Sequence, residues 1–353
     1  MPRVPWWLRN SHLQSIYPSF PLRRRSIERR SAQLVAASHD WIIDCGAGVR
    51  LLAQHSSWET PEANTTRPLA VLLHGWEGSS ESLYMLMLGQ QLYERGFDVL
   101  RLNLRDHGPT HQLNRELFNS CRLPEVVGAV GAIQSRWPAR SLNLVGFSLG
   151  GNFWLRVGAR APAAGLRIER IVAISPVLDP VRTLEVLESG FSIYRRYFVW
   201  KWVRSLRKKQ AAWPKEYDFA DILRDRTLTS MTDVLVRRYT EYPDITAYLR
   251  GYGVVGDTLS ALTTPTRIIA SADDPIIPVA DLERLAPSPA LRMTVSEHGG
   301  HCGFVLRANG SSWIADEVLR ELDSQNGLTT ASTTMAMRST PGTSLNQRYQ
   351  RGE

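Results

Sequence analysis

Ser148 sits in Gly146-Phe147-Ser148-Leu149-Gly150-Gly151, and a serine framed in this way is a candidate nucleophile. A hydroxyl is a poor nucleophile unless a base takes its proton and a third group orients that base. Both partners are available downstream. Ile268-Ile269-Ala270-Ser271-Ala272-Asp273-Asp274-Pro275 places two acids directly after an apolar run. Asp274 is preferred as the orienting acid and Asp273 is the alternative, since spacing does not separate neighbours. Either acid would also suit a cap for the helix expected near Pro278. Further on, Glu297-His298-Gly299-Gly300-His301-Cys302-Gly303-Phe304 carries two histidines in a glycine-rich loop. His301 is preferred over His298 as the base because it lies deeper in the loop, just before the last helical region. An oxyanion would need two backbone N–H donors. Leu149, after the serine, supplies one, and Trp76, in His74-Gly75-Trp76-Glu77-Gly78, supplies the other. His74 itself reads as a buried structural imidazole. The chemistry of such a set is acyl transfer through a covalent acyl-enzyme.

These residues require a strand, a sharp turn and a helix around Ser148, and the sequence provides all three. Leu142–Phe147 is apolar and strand-like, and Asn152–Val157 reads as the start of a helix. Before it, Leu34–Cys45 and Val49–His55 flank Gly46-Ala47-Gly48, a hairpin signal. Leu69–Leu73 is a continuous apolar run, suited to a strand buried on both faces. A helix near Ser82–Arg95, a strand in Phe97–Leu104, a helix near Leu123–Arg136 and a strand in Ile168–Ser175 complete an alternation. The fold class is α/β: a mostly parallel central sheet with helices on both faces.

The alternation breaks at residues 181–260, which read as an inserted helical cap. Phe191, Tyr194, Phe198, Trp202 and Leu206 recur at three- and four-residue steps, an apolar stripe on a helix. Arg195, Arg196, Lys201, Arg204, Arg207, Lys208 and Lys209 occupy much of the rest, with no acid among them. This basic aromatic helix is either a lid with a solvated basic face or a lipid contact. Strands resume at Thr266–Ser271 and Leu291–Val295, and a helix is expected over Ser311–Leu322. The domain reading is an N-terminal arm (1–33), a core (34–180 and 261–322), the cap (181–260) and a disordered tail (323–353), where Ser, Thr, Gly and Gln dominate.

Composition narrows the function classes. A chain of 353 residues with 43% hydrophobic and 22% charged residues can bury a large core. The formal charge of +8 favours anionic surfaces, yet no nucleic-acid module or long basic tract is present, so no nucleic-acid partner is expected. Peripheral contact of the arm with an anionic membrane competes with packing of Trp6 and Trp7 onto the domain, and packing is favoured. Cys45, Cys121 and Cys302 are far apart, which fits free thiols in a reducing compartment. His12, His39, His55, His107 and His111 show no metal-ligand spacing, so neither a metal nor a cofactor is expected. With no signal-like segment and no membrane-length apolar run, the chain reads as cytoplasmic, soluble or peripheral, and monomeric.

Taken together, the motifs resemble the α/β-hydrolase superfamily, and more narrowly its YheT-like branch, AB hydrolase family 4. Pro5-Trp6-Trp7-Leu8-Arg9-Asn10-Ser11-His12-Leu13-Gln14-Ser15-Ile16 is similar to that branch's N-terminal signature. His74-Gly75-x-Glu77-Gly78-Ser79-Ser80, Gly146–Asn152, Asp273-Asp274-Pro275 and Gly299-Gly300-His301-x-Gly303-Phe304 match as well. Trp76 departs from the pattern, where a smaller apolar residue such as Leu is usual. The resemblance implies a Ser148–Asp274–His301 charge relay and a carboxylesterase or an acylglycerol or phospholipid lipase. The leading expectation is therefore serine-dependent hydrolysis of lipophilic acyl esters, with a small-molecule or lipid ester as substrate. The alternatives are a catalytically silent lipid-binding module on the same fold, and a peptidase or amidase.

Overall fold

The computed structural model describes residues 3–20, 23–58, 66–307 and 312–323. Three short helices come first, α1 (Ser11–Ile16), α2 (Arg24–Arg30) and α3 (Ala32–Ala36), followed by strands β1 (Ser38–Asp44) and β2 (Arg50–Ser56). Then β3 (Leu69–Leu73), α4 (Leu83–Glu94), β4 (Asp98–Leu102), α5 (Leu123–Arg136), β5 (Leu142–Phe147), α6 (Leu149–Arg160) and β6 (Arg170–Ile174) alternate. Four helices intervene, α7 (Pro180–Ser189), α8 (Ser192–Ala212), α9 (Leu228–Tyr239) and α10 (Ile245–Arg250). The chain then returns through β7 (Thr266–Ser271) and β8 (Leu291–Ser296) to α11 (Ile314–Asp323).

The eight strands form one sheet in the order β1-β2-β4-β3-β5-β6-β7-β8. β1 and β2 pair antiparallel, as do β2 and β4, and every pairing from β4 to β8 is parallel. All residues of β3, β4, β5 and β6 are buried, as expected of parallel strands covered on both faces. Alternate side chains feed two layers. Leu69, Val71 and Leu73 of β3 meet Val126 and Val130 of α5 and Phe153 and Trp154 of α6. Ala70 and Leu72 face the other way, toward Ile27, Leu34, Leu86 and Val318 of α2, α3, α4 and α11. Leu72→Ala in this second layer would cost about 2–5 kcal/mol.

Two sequence expectations are corrected here. Leu34–Ala36 is not the start of a strand but lies in α3, because Leu34 is fully buried in the layer beneath α4 and its N–H donates to Gln90 Oε1. The apolar pair Leu34-Val35 reflects helix packing rather than a half-buried strand. The basic residues of α8 are not all solvated, either. Lys209 is fully buried and ion-paired with Asp106 at 2.9 Å, and Lys201 donates to the carbonyl of Glu77 at 2.8 Å. Long cationic side chains on this helix reach back into the loops it covers. The predicted stripe is otherwise visible, with Tyr194 and Leu206 buried, whereas Phe191 precedes the first turn and is 45% exposed. The last helix begins at Ile314, and of the predicted tail only Asp323 lies within the described residues. Cys45, Cys121 and Cys302 are free. Among the described residues no helix is long and apolar enough to cross a membrane, and no cluster of His, Cys, Asp and Glu is arranged to hold a metal.

Candidate active site

The loops that carry the candidate residues all leave the same edge of the sheet, because β3, β5, β7 and β8 run parallel and end together. At the end of β5, Ser148 takes φ 51° and ψ −116°, a conformation rarely adopted by a residue with a side chain. Its N–H donates to Ile174 O at 2.8 Å, and its carbonyl accepts from Asn152 N at 3.0 Å as α6 begins. The turn closes only because Gly150 has no side chain. A Cβ there would lie 2.3 Å from Leu73 O, so α6 presses directly on the end of β3. The turn leaves Ser148 half-buried at the N-terminus of a helix, where N–H groups point outward.

His301 reaches this serine from the loop after β8. Its Nε2 lies 3.0 Å from Ser148 Oγ and its Nδ1 lies 2.9 Å from Asp274 Oδ2. A carboxylate can only accept, so it fixes the ring proton on Nδ1 and leaves Nε2 to accept from the serine hydroxyl. The second oxygen of Asp274 accepts from Ile276 N at 2.8 Å and Ile277 N at 2.9 Å, which locks the carboxylate's orientation. Burial works to lower the His301 pKa, but the Asp274 carboxylate and the neighbouring Cys302 outweigh it and hold the imidazole well above its usual range.

The two neighbouring candidates have other work. Asp273 accepts from the N–H groups of Gly299 at 3.0 Å and Gly300 at 2.8 Å and from the Ser271 hydroxyl, so it ties the loops after β7 and β8 together. His298 lies beside Asp273, 3.5 Å from it, and not beside Ser148. The structure therefore brings Ser148, Asp274 and His301 together and leaves Asp273 and His298 one step away.

On the other side of Ser148 is the loop after β3. A Cβ on Gly75 would fall 3.1 Å from Ser148 Cβ, which shows how closely residues 74–76 approach the serine. Gly78 N donates to Gly75 O at 2.9 Å, closing a turn in which Glu77 has φ 56°. The Trp76 ring is turned toward α8, stacked on Phe198 with centroids 5.2 Å apart and edge-on to Trp202. His74 is fully buried; its Nε2 accepts from Leu104 N at 3.2 Å, so its Nδ1–H donates to Gly75 O at 2.7 Å. Burial, then His107 nearby, push its pKa well down, and a neutral ring buttresses the loop from below. Beside Trp76 and Leu149 opens a cavity of about 120 Å³, walled by apolar side chains such as Leu187, Trp202, Leu235 and Tyr252.

Sequence reasoning missed one group. Helix α1 braces the histidine loop: Ser15 Oγ accepts from His301 N at 2.8 Å, and Gln14 Oε1 accepts from Val305 N at 2.7 Å. The Gln14 amide, fully buried, donates to Leu8 O and Val305 O. The signal available was the Pro5–Ile16 segment itself, whose polar Gln14 and Ser15 have no periodicity to explain them.

Comparison with known proteins bears on the fold. A family model for the alpha/beta hydrolase fold matches residues 68–308. YheT of Escherichia coli (strain K12), which carries an esterase name, is 27% identical over 70% of this chain and 73% of its own. A monoacylglycerol lipase of Saccharomyces cerevisiae is 21% identical over 86% of this chain and 70% of its own. Among solved structures, a bacterial membrane phospholipase A superposes with a TM-score of 0.55 at 15% identity, covering 90% of this chain and 94% of that one, a likeness of fold. The serine elbow between β5 and α6, the sheet order and the matched span lead to one conclusion: the chain belongs to the α/β-hydrolase family, in its YheT-like branch.

Proposed function

We propose that the protein is a serine hydrolase of carboxylic esters with lipophilic acyl groups. The observation that carries this reading is a single imidazole held between Ser148 and Asp274, at 3.0 Å and 2.9 Å. In the proposed reaction Ser148 Oγ attacks the ester carbonyl while His301 Nε2 takes its proton. The new oxyanion is held by the N–H groups of Leu149 and Trp76. His301 then returns the proton to the leaving alcohol, and water, activated by the same ring, releases the acid from Ser148. Asp274 keeps the ring in the correct tautomer and offsets its charge in the transition state.

The lipophilic part of the reading rests on the cavity beside Leu149, which is apolar and walled largely by α7 and α9, with Trp202 from α8. We assign these helices, with α10, to a cap over the core, and residues 1–33 to an arm that supports the histidine loop. A cavity of about 120 Å³ suits a guest of roughly six carbons, since an engineered cavity of ~150 Å³ binds benzene. Esters of short to medium acyl chains are thus the preferred substrates. The names of the relatives agree in kind: an esterase and a monoacylglycerol lipase.

The test is Ser148→Ala assayed on p-nitrophenyl esters of graded chain length. Turnover should fall by roughly six orders of magnitude with the circular dichroism spectrum unchanged. Equal turnover by this variant would end the proposal. Labelling of the parent protein, but not the variant, by a fluorophosphonate separates the hydrolase from a silent lipid-binding module.

A further inference from the structure

Large apolar side chains are exposed at thirteen described positions, and eight of them fall in two stretches: four within residues 6–20 and four within 191–200. The two stretches touch. His12 Nδ1 lies 2.9 Å from the Tyr194 hydroxyl, and the His12 ring is 4.6 Å from that of Phe191. The outward positions of α8 follow helical spacing: Ile193, Arg196, Tyr197 and Trp200 toward its start, then Arg204 and Arg207. Ile193 is 47% exposed, Tyr197 45% and Trp200 56%. Nowhere from Gly190 to Ala212 is there an acid.

Core filling does not account for this face, because Ile193, Tyr197 and Trp200 leave about half of their surface to solvent. A solvated cationic face would account for the arginines but not for Trp200 and Tyr197 beside them. Aromatic rings with adjacent guanidinium groups suit the headgroup zone of a bilayer, where indole and phenol rings settle and cations meet lipid phosphate. The charge is of one sign, complementary to an anionic leaflet, and the inner face of the same helix covers the loop of Trp76.

We propose that the outer face of α8, with the adjoining arm, docks the protein on the surface of an anionic phospholipid bilayer. The docking is peripheral, along the membrane plane, and is independent of the reaction proposed above because it is read by partition rather than turnover.

The full-length protein is centrifuged with vesicles of phosphatidylcholine alone and of an equimolar mixture with phosphatidylglycerol. Partition into the mixed vesicles should exceed that into the neutral ones at least roughly tenfold and weaken as salt is raised. The variant Arg204→Glu/Arg207→Glu/Lys208→Glu should lose about a hundredfold in that partition, at about fivefold per cation, while cleaving a water-soluble ester as before. Tyr197→Ser/Trp200→Ser should lower partition into both vesicle types. Failure of the parent protein to sediment with the mixed vesicles overturns the proposal, as does unchanged partition of the charge-reversed variant. A solution dimer that Trp200→Ser dissociates, with no vesicle binding, overturns it too and assigns the face to a second copy of the chain.

Discussion

At the seam between α8 and the loop after β4, Lys209 gives its ammonium protons to Asp106 Oδ1 (2.9 Å), Asn114 O (2.7 Å) and Glu116 O (3.1 Å). The second oxygen of Asp106 accepts from Phe118 N. Burial pushes Asp106 up to about 6 against the pull of Lys209, and burial likewise lowers Lys209. At the candidate active site Asp274 is held by two backbone N–H groups, but its basic partner is an imidazole whose other nitrogen faces a hydroxyl. Both are pairs of acid and base largely shielded from solvent. In the first, every donor ends on a fixed acceptor, and the pair works as a joint. In the second, the chain of hydrogen bonds ends on the Ser148 hydroxyl, whose proton leaves in the proposed reaction. What separates a structural pair from a reactive one is where the last hydrogen bond goes.

Breaking each pair should therefore give different signatures. Asp274→Asn should lower kcat/KM by roughly 10⁴ while costing no more than about 1.5–3 kcal/mol of stability for the charged acceptor of Ile276 and Ile277, as measured by steady-state kinetics beside urea denaturation. Lys209→Met should do the reverse. It strands a buried carboxylate, so urea denaturation should show a loss of about 3–5 kcal/mol, with kcat retained in the folded fraction. Adding Asp106→Asn to Lys209→Met should recover much of that loss.

Asp273→Asn sharpens the comparison between neighbouring acids. It removes the charged acceptor of Gly299 and Gly300, which should cost about 1.5–3 kcal/mol of stability and reduce the rate far less than Asp274→Asn. A greater rate loss at Asp273 than at Asp274 would reverse the assignment. The pH profile is a subtler readout. The base must be neutral, and Asp274 and Cys302 hold the protonated ring, against burial, to a pKa above the usual 6.5. Activity should accordingly rise with pH through a limb on the alkaline side of 6.5, and Asp274→Asn should move that limb toward acid. Ser15→Ala is expected to have the smallest effect, about 1 kcal/mol in stability from one lost acceptor at His301 N.

The sheet was largely legible because its central strands, β3 to β6, are buried on both faces and read as mostly apolar runs. Leu69–Leu73 has the bounds expected of it, and the strand, glycine turn and helix around Ser148 are local in sequence. Chain order led to the loops of Asp274 and His301. Choosing between Asp273 and Asp274 required geometry, since both follow β7 and their side chains go to different partners. What could not be read was long-range and polar. Lys209 looks like any other base on α8 until Asp106 is seen opposite it, 103 positions away. Leu34 looks like strand because an apolar pair has no period, and its burial under α4 is a tertiary fact.

Gln14 and Val305, which hold the histidine loop to the arm, stand 291 positions apart. On a ribosome the arm emerges well before its partner, which follows 291 positions later. The sheet can assemble in the meantime, but the loop bearing His301 gains its brace only after β8 has left the exit tunnel. A nascent chain that stops short of His301 would lack both this brace and the base proposed for Ser148.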